Sequence, residues 1–240
     1  GKEQVLDPKT EHTIIEWSSA GHDGGDLLFG LDGMLYITTG DGTGDSDVNF
    51  TGQDFSNLNG AVLRIAVDRT GKDLLYSIPK DNPFVSVKNA RGECWAFGLR
   101  NPWRMSMDRK TGQIWVGNNG QDLWETVHLL YRGDNYGWSV YEGNHPFYLN
   151  RKLGPAPFVP PTIEHHHREA RSLTGGVVYH GGKLPELDGA YVYGDYATGK
   201  IWEARHDGKT LTWQAAIADT SLKIAGFAVS PSGELLVVGH

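Results

Sequence analysis

His22 and Asp41 stand at the two ends of a β-type pattern, with glycines on either side of both. A carboxylate that reaches an imidazole orients the ring and stabilises its protonated form, which makes His22 a candidate general base. The plainer alternative is a turn histidine and a loop-capping aspartate. A second constellation is Gly98-Leu99-Arg100-Asn101-Pro102-Trp103. Pro102 keeps Asn101 out of the helical region and kinks the chain, which aims Arg100. A guanidinium is a permanent charge suited to a carboxylate or an oxyanion, or simply to a salt bridge. The third is Asn118-Asn119-Gly120-Gln121-Asp122-Leu123-Trp124-Glu125. Successive carbonyls in such a turn bind a hard cation such as Ca²⁺, with Glu125 nearby; otherwise the segment is a plain connecting loop.

Other stretches carry less. His165-His166-His167 points alternately to opposite faces if extended, a poor zinc site. Asp45, Asp47 and Asn49 alternate but lack the glycine and distal glutamate of an EF-hand loop. No phosphate-binding loop, nucleophile elbow or dinucleotide fingerprint is present.

The elements that must position these residues are strands. Residues 26–39 read as a hairpin around Asp32-Gly33, with Leu27, Phe29, Leu35 and Ile37 in apolar alternation. A hairpin starts and ends on one side, so His22 and Asp41 converge at one sheet edge. Four segments share this form: LDGMLYITTGD (31–41), KTGQIWVGNNG (110–120), LDGAYVYGDY (187–196) and PSGELLVVGH (231–240). Further strand candidates are 61–67, 103–108, 126–131, 175–180, 199–205 and 210–217. Repeated β units with turns, 32 glycines and 11% aromatic residues indicate an all-β protein and a β-propeller. The polar ends of the repeats, Asp41, Asn118, Asn119, Asp195 and His240, then face one rim of the channel. Residues 41–59 and 144–171 read as long loops, and no domain boundary is visible within 1–240, so the chain reads as a single propeller domain.

Bulk properties narrow the partners. The formal net charge is −7 and no basic run occurs, which argues against nucleic acid. No apolar run reaches the ~18 residues of a membrane helix. A single cysteine, Cys94, excludes an intrachain disulfide. The chain opens on Gly1-Lys2-Glu3-Gln4 rather than Met, so it reads as a piece of a longer product.

Taken in order, HDGGDLLFGLDGMLYITTGD, GLRNPWR, GQDLWE and DNYGW resemble the soluble quinoprotein sugar dehydrogenases, the glucose/sorbosone dehydrogenase family. The resemblance runs from about His22 to the end. It implies a six-bladed β-propeller that binds pyrroloquinoline quinone (PQQ) with Ca²⁺ over the channel; about four blades fall in this chain, with one or two N-terminal blades expected elsewhere. By the same resemblance His22 is the base that takes the sugar C1 hydroxyl proton as hydride passes to the quinone, and Asp41 is its partner. Arg100 polarises the quinone oxygen, Asn101 and Asn119 lie against the cofactor, and the carbonyls of Gly120 and Gln121 ligate Ca²⁺. Lys223 retains one charge where cations hold the PQQ carboxylates, whereas Ala197 and Ala225 fall at expected cationic positions. The implied protein is a PQQ- and calcium-dependent dehydrogenase of an aldose or similar alcohol or aldehyde. It would be periplasmic or extracellular and would pass electrons to an acceptor such as a cytochrome. The alternatives are a catalytically inactive propeller of the same family serving as a binding module and, ranked last, a Ca²⁺-dependent lactonase-type propeller, in which Gly-Leu-Arg-Asn-Pro has no task.

Overall fold

The computed structural model describes residues 7–67 and 75–240. After a short 3₁₀ turn at Pro8–Thr10, the chain forms β1 (Gly24–Phe29), β2 (Leu35–Thr39), β3 (Ala61–Ile65) and β4 (Cys94–Phe97). Then come β5 (Asn101–Met107), β6 (Ile114–Asn119), β7 (Trp124–Leu129) and the short β8 (Tyr141–Glu142), β9 (His145–Pro146) and β10 (Ile163–His166). The rest is β11 (Leu173–Val178), β12 (Tyr191–Asp195), β13 (Lys200–His206), β14 (Leu211–Asp219), β15 (Ile224–Val229) and β16 (Leu235–Gly239), with a 3₁₀ turn at Pro185–Leu187. Among the described residues these make three four-stranded antiparallel sheets, β1-β2-β3-β4, β5-β6-β7-β10 and β11-β12-β13-β14, a β15-β16 pair and a β8-β9 hairpin.

The sheets stack as propeller blades. Their first strands touch in series, β1 with β5, β5 with β11 and β11 with β15. Apolar faces fill the space between neighbours. Val62 and Ala96 of the first sheet pack with Met105, Ile114 and Val116 of the second. Trp115 stacks on Tyr191 of the third at 4.6 Å between ring centroids. Val192 and Ile201 of the third close on Ile224 of β15. Burying such aromatic and branched side chains contributes about 1.5–3 kcal/mol each relative to exposure, which is what holds blade to blade.

The expected hairpin and the all-β propeller are both present, with some corrections. The four repeats are β2, β6, β12 and β16, the second strand of each sheet. Leu27 and Phe29 share a face with Ile37 and Leu35, but at 61% and 57% exposure they lie outside the core, and Leu28 points the other way. The stretch 144–171 is not all loop: β10 pairs with β7 and completes the second sheet. β4 and β15 carried no advance signal, being too short or too interrupted by glycine for a period to show.

Register places the site. Gly24 pairs with Thr39, Asn101 with Asn119, Leu173 with Asp195 and Ile224 with Gly239. The start of each first strand and the end of each second strand therefore meet at one rim. Asp41, Asn118, Asn119, Asp195 and His240 all belong to that rim, as their shared position in the repeat predicts.

Candidate functional site at the blade rim

His22 precedes β1 and Asp41 follows β2. The hairpin ladder continues beyond both strands: His22 N–H donates to Thr43 O (2.9 Å), and Gly42 N–H returns to His22 O (3.1 Å). These bonds bring the two side chains together, His22 Nδ1 to Asp41 Oδ1 at 2.9 Å. Asp41 is fully buried and His22 partly so. Asp41 Oδ1 also accepts from the Thr43 amide (2.9 Å) and hydroxyl (3.1 Å), and Oδ2 accepts the indole N–H of Trp138 (2.8 Å). With these donors on its other acceptor positions, the carboxylate accepts a hydrogen bond from His22 Nδ1–H. His22 Nε2 donates to and accepts from no described residue, so it is left as the basic nitrogen.

Asp41 N–H donates to Arg100 O at 2.8 Å, tying the first rim segment to the second. Gly98 makes the turn that leads there. Its φ is +82°, and a Cβ would stand 2.6 Å from both Asn135 Oδ1 and Gly137 N, so only glycine fits. Asn118 secures the next two residues, its Oδ1 accepting the N–H of Arg100 (3.1 Å) and of Asn101 (3.0 Å).

The Arg100 guanidinium is buried and lies 5.6 Å from the Trp138 ring centroid. Burial pushes its pKa down, while the more distant charges of Asp41, Glu125, Glu142 and Asp45 oppose that. Nη1 donates to Gly120 O (2.7 Å) and Asn119 O (3.4 Å). It forms no ion pair with a described carboxylate, and Nη2 donates to no described residue. A buried cation with a free N–H fits an electron-rich carbonyl such as a quinone oxygen.

The turn after β6 bears on calcium. Glu142 gathers the N–H groups of Gln121 (2.6 Å), Asp122 (2.6 Å) and Leu123 (3.2 Å). Gly120 is required there, since a Cβ would stand 1.8 Å from Trp124 O. With its amides held on one anion, the turn offers carbonyl oxygens, the donors a hard cation takes. Gln121 O has no partner among the described residues, whereas Gly120 O already accepts from Arg100, so a cation there shares that oxygen with the guanidinium. Among the described residues no group of three or more His, Cys, Asp or Glu side chains gathers as a metal site.

The remaining expected residues fall as follows. Asn119 directs its amide to Glu125 (2.7 Å) and Leu173 O (3.0 Å), so its side chain braces two sheets. Glu125, buried, also accepts from His167 (2.8 Å) and is a brace rather than a free ligand. Lys223 Nζ donates to Ala197 O at 3.2 Å and lies 5.7 Å from the Tyr196 ring. The three histidines diverge: His165 meets Tyr193 and Glu169, His166 packs edge-on against Trp124, and His167 meets Glu125. Asp47 is consumed in its loop, accepting from Thr51, Gly52 and Ser139; burial raises its pKa. A cavity of about 370 Å³ opens at the same rim, lined by Asn101, Arg104, Asn119, Thr174, Tyr196 and His240. Neither that cavity nor two larger grooves, beside loop 47–56 and at the opposite rim, is lined by His22 or Arg100.

Sequence reasoning missed Trp138 and Glu142. Trp138 lies in the motif Asp134-Asn135-Tyr136-Gly137-Trp138, which marked it for attention without a role. Glu142 carried no signal.

Comparison with known proteins identifies the family. Residues 10–240 match the family model described as Glucose / Sorbosone dehydrogenase. The chain is 37% identical over 203 residues to the HIPL1 protein of Arabidopsis thaliana, covering 75% of this chain and 29% of that protein. It is 32% identical over 219 residues to the Hedgehog-interacting protein of Mus musculus, covering 87% of this chain and 28% of that protein. A solved structure of the PQQ-bound form of aldose sugar dehydrogenase from Streptomyces coelicolor superposes with a TM-score of 0.68 at 25% identity, covering 92% of this chain and 57% of that one. The chain thus spans under a third of the two relatives' lengths and little more than half of that structure's.

Proposed function

Because the chain belongs to the glucose/sorbosone dehydrogenase family, we propose that it carries the catalytic rim of a PQQ- and calcium-dependent sugar dehydrogenase. The substrate is an aldose or a similar alcohol or aldehyde. The observation that carries the reading is the pairing of an Asp41-anchored His22 with a buried Arg100 that has no carboxylate partner.

Each residue has a task. Asp41 holds the Nδ1 proton, so His22 Nε2 accepts the hydroxyl proton of the sugar. Arg100 Nη2 presents a positive charge where electron density accumulates. Asn101 and Asn119 line the rim cavity, and the carbonyls of Gly120 and Gln121 are the calcium donors. When bound, PQQ supplies an electrophilic quinone that accepts hydride from the sugar carbon. We place the protein in the periplasm or outside the cell, with an electron acceptor such as a cytochrome.

A second reading is a propeller of this family that acts as an interaction module. It is favoured by alanine at positions 197 and 225, which leaves few cations beside Lys223 for a tricarboxylate. A thermal melt separates the two. PQQ with Ca²⁺ at a hundredfold excess over its dissociation constant stabilises a binding protein by about 2.7 kcal/mol. A cooperative melt that does not move with both additives removes the first reading and leaves the second.

A further inference from the structure

A narrow cavity of about 10 Å³ is lined by Arg100, Asn118, Thr126, His128, Trp138 and Glu142, among others. That is roughly the space one water molecule needs, and a buried water is kept by two to four polar partners. Two buried side-chain nitrogens on this wall have no partner: Arg100 Nε and His128 Nδ1. Both residues are nine-tenths buried or more, at 9% and 2% exposure.

The protonation of His128 decides what the cavity holds. Burial lowers its pKa to about 3, so the ring is neutral and carries one N–H. Its Nε2 lies 3.0 Å from Thr126 Oγ1. That hydroxyl accepts from the Asn118 amide (3.0 Å) and donates to Asn118 O (3.3 Å). With that proton on Asn118 O, Thr126 Oγ1 accepts from His128 and the ring proton is on Nε2, the tautomer that this inference adopts. His128 Nδ1 is then a bare acceptor, and Arg100 Nε–H is a donor. The two unpaired atoms are complementary, and leaving either unsatisfied in the interior is costly.

We infer that a single buried water bridges Arg100 Nε–H to His128 Nδ1, and that His128 is thereby a positioning residue for Arg100. His128 acts by a second route as well. It holds Thr126, Thr126 holds the Asn118 amide, and Asn118 Oδ1 holds the backbone N–H of Arg100 and Asn101. A planar guanidinium fixed at Nε by the water and at Nη1 by Gly120 O has one direction left, that of Nη2. The consequence for catalysis rests on Arg100 facing the cofactor; the water bridge does not.

The experiment therefore uses the cofactor-free protein. A crystal structure that resolves ordered solvent is expected to show one water within hydrogen-bond reach of both nitrogens. Nitrogen-15 NMR is expected to report His128 protonated on Nε2 and bare on Nδ1. Exchange of the Arg100 Nε proton is expected to quicken roughly tenfold in His128→Leu, the ordinary worth of one hydrogen bond. It is expected to stay slow in His128→Asn, whose amide oxygen stands near the place of Nδ1. An unfilled cavity overturns the inference, as does unchanged exchange in His128→Leu. A proton on Nδ1 overturns the donor–acceptor bridge too, because a water there would accept from both nitrogens and donate nothing to His128. If either variant fails to fold, the density and the tautomer of the unaltered protein decide. None of these readouts involves PQQ, so their failure leaves the dehydrogenase reading standing, and a melt unmoved by PQQ leaves the water bridge standing.

Discussion

His22 Nδ1 lies 2.9 Å from Asp41 Oδ1, across the open end of a single β-hairpin. The pairing follows from local geometry: the ladder bonds between His22 and residues 42–43 extend the hairpin past its strands. What makes the pair more than a hairpin contact is the load on the carboxylate. Thr43 and Trp138 take its remaining acceptor sites, so Asp41 cannot turn away from the imidazole.

Asp41→Asn is the sharpest test of that arrangement. The amide removes the anion that fixes the Nδ1 proton, so His22 Nε2 loses its poised basicity. Sugar-dependent dye reduction is expected to fall by about 10²–10⁴-fold, the usual worth of a positioned base. The PQQ-induced shift in melting temperature is expected to persist, because Asp41 is not a cofactor contact. A near-normal rate would remove His22 as the base.

Trp138→Phe keeps the ring beside Arg100 and Phe147 but deletes the indole N–H, leaving Asp41 Oδ2 buried without that donor. The expected loss is about 1–3 kcal/mol in a urea titration. Trp213→Phe supplies the contrast. Trp213 also donates, to Glu203 at 2.9 Å, but it is 53% exposed and water replaces the partner. Its change is expected to stay within about 0.5 kcal/mol. Equal losses in both variants would mean that the Asp41 bond carries no special weight.

Glu142→Gln removes the charge that gathers the amides of residues 121–123. Groups that orient metal donors without touching the metal typically change affinity by about 10–100-fold. Calcium titration by calorimetry is expected to show weakening in that range. Unaltered calcium binding would place the ion away from Gly120 and Gln121.

Acid stability carries the mark of His128. In the unfolded chain it takes up a proton below its ordinary 6.5, but in the folded protein only near pH 3, because burial opposes the charge. Between those values the unfolded state binds more protons. Its contribution is therefore complete above 6.5 and is lost as pH falls toward 3, by up to about 1.4 kcal/mol per pH unit. His167 has the opposite sign: its hydrogen bond to Glu125 raises its pKa, so its contribution is full below 6.5 and fades as pH rises through the folded value. Urea midpoints between about pH 7 and about pH 5 are expected to fall less steeply in His128→Leu than in the unaltered protein. Parallel slopes would show that His128 titrates normally in the fold.

Some of this protein is written locally. Asp32-Gly33 between apolar runs determines the β1-β2 hairpin, and a hairpin returns to its origin, so His22 and Asp41 had to meet. The same logic puts Asn119 opposite Asn101 and Asp195 opposite Leu173, because each repeat is a turn and a strand that pair with a neighbour. Gly98, Arg100 and Pro102 spell a constrained turn from their own backbone preferences.

Tertiary structure decided the rest. Trp138 reaches Asp41 across 97 positions in the chain, and Ser139 reaches Asp47 across 92. No periodicity encodes such contacts, since they depend on how one blade packs against the next. Leu27 and Phe29 show the limit from the other side: their alternation is correct for a strand, yet which face is buried depends on what stacks against it. His128 looked like any strand histidine in the sequence. Only the packed interior, which buries it and puts it with Arg100 in the lining of one small cavity, brings it to the site.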